Sequence, residues 1–178
     1  MIWKYTFPLH NKLKTPLLTS IQYSAGKGYD ADEFDRITKT DYYEHLDLDQ
    51  KTYLKLLHSN LTDFYDVMSQ KYCLLDFSLY NGWYQQYYNL DTHHWHTHSR
   101  SNVSMVYYLE LDGPEHSTEF WCPETRKKFQ LDAREGDIVV FPAYQAHRSP
   151  PIQSDNRKTI ISCNYNFESV RFDCINGK

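Results

Sequence analysis

The sequence predicts a mainly β domain with flanking helices, a two-sheet jelly roll of the cupin-like kind, and three observations carry that expectation. After Gln70, strand-like segments rich in aromatic and β-branched residues alternate with turn residues for the rest of the chain. Before it, Leu54, Leu57, Leu61, Phe64 and Met68 recur at three- and four-residue steps, which puts them on one stripe of a helix that covers a sheet. Within 103–111, Met105, Tyr107, Leu109 and Leu111 alternate with Ser104, Val106, Tyr108 and Glu110. A period of two sends one set outward against the helix and the other towards a cavity.

The 178 residues suffice for one domain with its own core, and no repeat or low-complexity tract divides them. We therefore read 1–178 as a single unit, with an amino-terminal arm and helix over about 1–70 and a β core over about 71–168. Pro8 and Pro16 interrupt short apolar segments and 24–28 is rich in turn residues, so the first 45 residues are expected to form an irregular arm with a strand or two. The helix is expected to run from about Asp49 for about five turns. Strands are expected at 72–80, 82–88, 94–98, 103–111, 117–121, 128–131, 137–141 and 158–167.

Composition narrows the function. Nineteen Lys and Arg against 23 Asp and Glu give a net charge of −4 without a basic cluster, so no nucleic-acid partner is expected. No apolar run is long enough to span a bilayer, and the first residues show no secretory pattern, so the expected location is cytoplasmic, away from membranes. Cys73, Cys122, Cys163 and Cys174 lack the spacing of a zinc or redox pair and read as reduced, small hydrophobes.

Histidine is the unusual component, with four of nine in the segment Thr92-His93-His94-Trp95-His96-Thr97-His98. On an extended segment His96 and His98 project to one face and can share an ion. His147, following the apolar strand that ends at Pro142, completes a facial triangle and leaves further positions on a six-coordinate metal for substrate and oxygen. A solvated loop, or an adventitious zinc or nickel site made with His93 and His94, is the alternative, and those two histidines are assigned to it. Arg157 and Thr159 share a face of the last strand; a guanidinium inside a barrel needs an anion, and a dicarboxylate offers bidentate pairing.

In that order the segments resemble the iron(II)/2-oxoglutarate-dependent oxygenase superfamily, particularly its prolyl-hydroxylase-like branch and the oxygenases of bacteria and phages, over about residues 80–168. His96-Thr97-His98 stands where the family has His-x-Asp/Glu, Val106-Tyr107-Tyr108-Leu109 resembles its tyrosine-rich strand, and Ser117-Thr118-Glu119-Phe120 its Thr-x-Phe strand. His147 and Arg157-Lys158-Thr159 resemble the second metal-binding half. The resemblance implies a double-stranded β-helix and a dioxygenase, in all expectation a hydroxylase, that couples oxidative decarboxylation of 2-oxoglutarate by O2 to oxidation of an unidentified substrate. It implies Fe(II) on His96, His98 and His147, with Arg157, Thr159, Tyr108 and Tyr87 binding the 2-oxoglutarate cosubstrate. A homo-oligomer is compatible with it.

His98 departs from the family by removing one negative charge from the metal shell; either it ligates, or a carboxylate such as Asp91 or Glu119 takes its place. Two other functions compete. One is a cupin-type three-histidine metal protein, either a dioxygenase independent of 2-oxoglutarate or a small-molecule binder, which leaves Arg157 unexplained. The other is a non-enzymatic module whose Trp83, Tyr84, Tyr87, Tyr88 and Trp95 face a carbohydrate or protein, although such residues more often line a core or pocket.

Overall fold

Antiparallel pairing gathers the strands into two sheets in a computed structural model that describes residues 1–32, 35–44 and 46–175. The strands are β1 (Trp3–Thr6), β2 (Lys27–Asp32), β3 (Asp35–Thr40), β4 (Leu74–Tyr87), β5 (His93–His96) and β6 (Val103–Glu110), followed by β7 (Glu119–Cys122), β8 (Lys127–Gln130), β9 (Asp137–Pro142), β10 (His147–Ser149) and β11 (Lys158–Val170). The helices are α1 (His10–Tyr23), α2 (Thr52–His58), α3 (Thr62–Tyr72) and the short α4 (Phe172–Ile175). One sheet runs β1-β9-β6-β11-β4-β3-β2 and the other β5-β10-β7-β8. Among the described residues no helix is long and apolar enough to cross a membrane.

The β-rich architecture is the jelly roll expected, but the helical part differs. The single helix from Asp49 is two helices: Asn60 Nδ2 and Ser59 Oγ both donate to the Leu56 carbonyl, at 2.8 and 3.0 Å, and close α2 before α3 begins. The apolar stripe survives the break, because Leu54, Leu57, Leu61, Phe64 and Met68 are all buried. Nor is the arm irregular. It holds the 14-residue α1, which runs through Pro16 because Leu13, Leu17 and Ile21 bury one face and outweigh the hydrogen bond that proline removes. The segments 72–80 and 82–88 are one continuous strand, β4, whose pairing with β11 shifts register near Asn164 and again near Phe167.

Two cores result. Helices α1, α2 and α3 pack on the outer face of the large sheet, against Met105, Tyr107, Ile161, Cys163 and Tyr165. The second core lies between the sheets and contains Tyr87, Val106, Tyr108, Phe120, Phe141 and Ile160. Strand parity divides β11 accordingly: Ile161, Cys163 and Tyr165 face the helices, whereas Lys158, Ile160, Ser162 and Asn164 face inward. In β6, Glu110 pairs with Thr159 but Tyr108 pairs with Ile160, so Leu109 is an extra residue. That bulge reverses the alternation predicted for the end of the strand, leaving Glu110 beside Thr159 and turning Leu111 into the inner core.

The junction of α2 with β4 is held by a buried ion pair. Lys51 Nζ lies 3.1 Å from Asp41 Oδ2 and donates to the Gly82 carbonyl at 2.9 Å. Asp41 also accepts from the Tyr53 hydroxyl at 2.6 Å and the Tyr84 amide at 3.0 Å. Replacing Lys51 by Met leaves that carboxylate buried without its cation, and is expected to destabilise the protein by about 3–5 kcal/mol. Urea denaturation measures this, and an unchanged midpoint would show that the pair does not hold the junction.

Candidate metal centre

Cross-strand register builds the centre. His147 on β10 pairs directly with His96 on β5, and His98 follows two residues beyond, its backbone amide donating to the Ala143 carbonyl at 2.8 Å. Donor atoms of His96, His98 and His147 all lie within 4.8 Å of one another. His147 opens a short strand of its own, between β5 and β7. Asp91 and Glu119, the carboxylates considered in place of His98, are engaged elsewhere. Asp91 accepts from Arg36 Nε at 2.8 Å, and Glu119 from Lys128 at 2.9 Å and Arg148 at 2.7 Å.

The imidazoles are prepared as neutral ligands. His96 Nδ1 lies 2.7 Å from the His94 carbonyl and His147 Nδ1 2.8 Å from that of Gln145, contacts that place a proton on each Nδ1 and leave each Nε2 lone pair free. Burial holds the pKa of His98 down at about 4, lowers that of His96 and keeps that of His147 well below the usual range. His98 Nε2 and His147 Nε2 face each other at 3.2 Å, close to the ~3 Å separation of two nitrogens bound to one ion at ordinary metal–nitrogen distances. The donor set therefore fits a divalent transition metal. His93, expected to be uninvolved, stacks on His96 with centroids 4.1 Å apart and lines the same cavity, its pKa driven down to about 2 by burial and the neighbouring imidazoles.

Lys158 lines this cavity together with the imidazoles. Its Nζ donates to the His116 carbonyl at 2.7 Å and to Ser149 Oγ at 2.8 Å, and sits 5.0 Å from the centroid of the Tyr87 ring. No carboxylate among the described residues pairs with it, and burial pushes its pKa down to about 7. Tyr87 borders the cavity and donates its hydroxyl to Gln85 Oε1 at 2.9 Å. Tyr108 stands behind, its hydroxyl donating to Thr118 Oγ1 at 2.8 Å, and it is Thr118 that reaches the lining.

Arg157 and Thr159 are not in this cavity. Arg157 grips Glu110 with Nε to Oε2 at 2.7 Å and Nη2 to Oε1 at 2.9 Å, which raises its pKa, and Thr159 donates to the same carboxylate. Both residues lie on the opposite face of β11 from Lys158, so the cation inside is the lysine between them. The signal was present in the sequence: Ile161, Cys163 and Tyr165 are the more apolar phase of the strand and mark the helix side.

On its other side the centre opens into a second cavity of about 240 Å3, which shares Trp83, Gln85, His93, His96 and His98 with the first. Its outer wall comes from the amino-terminal arm, with Tyr29 and Tyr43 stacked at 4.9 Å and Tyr42 edge-on to Trp83 at 5.0 Å. Of the aromatic residues considered for a binding surface, Trp83, Tyr84 and Tyr87 are buried.

Many solved structures share this architecture. An oxidoreductase of the 2OG-Fe(II) oxygenase family from Burkholderia pseudomallei aligns over 95% of this chain and 86% of its own, at 12% identity and a TM-score of 0.75. A prolyl-4-hydroxylase from Pseudomonas putida aligns over 94% and 92% at 14% identity, with a TM-score of 0.64. The epimerase SnoN, solved in complex with Fe3+, α-ketoglutarate and nogalamycin RO, aligns over 93% and 78% at 9% identity, with a TM-score of 0.69. The sequence itself matches no protein-family model and no curated protein. What is shared at such identities is the fold: the chain is a mainly β jelly roll of the kind found in solved 2OG-Fe(II) oxygenases.

Proposed function

We propose that this protein is an Fe(II)- and 2-oxoglutarate-dependent dioxygenase, with the metal on His96, His98 and His147 and the cosubstrate's distal carboxylate on Lys158. One observation carries the reading: three neutral imidazoles converge in a cavity whose lining also holds a buried lysine that no carboxylate among the described residues pairs with. Iron and 2-oxoglutarate, when bound, supply oxidative decarboxylation by O2 to succinate and carbon dioxide, coupled to oxidation of the substrate. The chain's own groups hold and orient. The His94 and Gln145 carbonyls fix the tautomers of His96 and His147, and Ser149 Oγ steadies the Lys158 ammonium facing the anion. A three-histidine protein working without a dicarboxylate would leave that ammonium buried and unpaired, which favours the cosubstrate.

The cavity between lysine and imidazoles is about 20 Å3, room for little more than one water, so admitting a five-carbon diacid requires lining side chains to swing aside. The outer cavity, beyond the imidazoles, is the place for the substrate to be oxidised.

Four outcomes test the reading. His147→Ala is expected to reduce bound iron from one equivalent to near none, since two ligands poorly replace three; metal analysis that still finds full occupancy would remove His147 from the site. Lys158→Met should weaken 2-oxoglutarate by about a hundredfold, as loss of a hydrogen-bonded charge implies, while Arg157→Ala changes it by less than about threefold. Calorimetric titration of the metal-loaded variants decides, and the reverse order would restore the arginine. The anion binds the protonated lysine, whose free pKa is about 7. Affinity is therefore expected to fall by up to about tenfold per pH unit above that value, and to lose this slope in Lys158→Met.

A further inference from the structure

The two sides of the imidazole cluster carry opposite charge. The inner cavity is lined by Lys158, whereas among the described residues no Lys or Arg borders the outer one and the acidic residue in its lining is Asp35. The mutual hydrogen bonds of Arg36 and Thr92, both 2.9 Å, bring Asp35 beside the histidine segment. His94 Nδ1 approaches Asp35 Oδ2 at 2.9 Å, but Oδ1 has no hydrogen-bond partner among the described residues, and His93 Nε2 stands 3.8 Å from it. The carboxylate side chain is 3% exposed. A buried carboxylate oxygen left without a donor is costly unless a ligand supplies one.

The rest of the wall suits a cation. Tyr29, Tyr42, Tyr43 and Trp83 surround the cavity with aromatic rings, whose faces are electron-rich and attract ammonium groups.

We infer that the outer cavity receives an alkylammonium group of the substrate, with its N–H directed at Asp35 and its carbon chain against the tyrosines and Trp83. The inference rests on the proposed oxygenase reading, which makes this cavity the substrate's. Charge then sorts the two ligands, the dicarboxylate to the lysine and the amine to the aspartate.

Binding to the zinc-loaded protein, followed by Trp fluorescence and calorimetry, tests this with two pairs of probes: pentylammonium against 1-pentanol, and a capped lysine amide against its norleucine counterpart. At least one ammonium probe is expected to bind about tenfold or more tightly than its neutral counterpart, and Asp35→Asn is expected to bring that ratio close to one. A preference for the free amine alone points to a small-molecule substrate; preference for the capped lysine points to a lysine side chain in a peptide. Equal binding of charged and neutral probes, no binding of either ammonium probe, or a preference that persists in Asp35→Asn would overturn the inference. Should Asp35→Asn fail to fold, the ratio in the unaltered protein decides alone. Titration with 2-oxoglutarate is run separately: its failure beside an intact ammonium preference would sink the oxygenase reading and leave the cation site standing.

Discussion

The alignment of β5 against β10 is the constraint on which the site depends. His96 and His147 are direct cross-strand partners, and the pairing is pinned at both ends, by Thr92 Oγ1 donating to the Ser149 carbonyl at 2.9 Å and by the His98 amide donating to Ala143. A slip of one residue would turn His147 to the far side of the sheet and dissolve the triangle. Convergence then brings burial, and burial makes the rings neutral, so the geometry that assembles the ligands also frees their lone pairs.

Strand parity does the equivalent work at the opposite end. Three consecutive polar residues, Arg157, Lys158 and Thr159, lead into β11, and only the middle one can face inward once Ile161 and Cys163 are fixed against the helices. The bulge at Leu109 then brings Glu110 round to neutralise the arginine on the outside. Because three imidazoles add no charge to the metal shell, a bound divalent cation beside Lys158 would leave the interior strongly positive. A dianion held by Lys158 would answer that imbalance, which is why the lack of a carboxylate among the three histidine ligands would make the proposed cosubstrate more important to the centre rather than less.

How much of this was legible in the sequence follows from which interactions are local. Alternation in 103–111 and the clustering of His96 and His98 are short-range patterns, and they led to the jelly roll and to two of the converging histidines. His147 was reachable because an apolar strand delivers it. The helix α1 was not, since Pro16 argues locally against a helix that only tertiary burial of Leu17 and Ile21 sustains. Arg157 misled for a related reason: its residue type suits a carboxylate, but its partner, Glu110, is 47 residues away and reaches it through a bulge that no local pattern reveals. Asp35 likewise reaches the site through long-range contacts, the bridge between Arg36 and Thr92 and its own contact with His94, which no local pattern reveals.

The two cavities meet at a common wall, and one ring of that wall, His93, is held by weaker contacts than its neighbours. Elsewhere the lining is fastened by strong bonds: Lys158 makes two, and Ser104, Asn164 and Asn81 form a chain at 2.6 and 2.8 Å. Gln85 and His93 border both cavities; Gln85 Oε1 accepts from the Tyr87 hydroxyl at 2.9 Å, whereas His93 has a 3.5 Å contact with Gln85 Nε2 and rests on the His96 ring. Since the inner cavity must widen to admit a diacid, the cheapest displacement is of the His93 ring, towards the outer cavity. A ligand arriving on either side therefore meets the same residues. In an oxygenase that arrangement links the filling of the lysine end to the shape presented on the aspartate side, through contact alone and without movement of a strand.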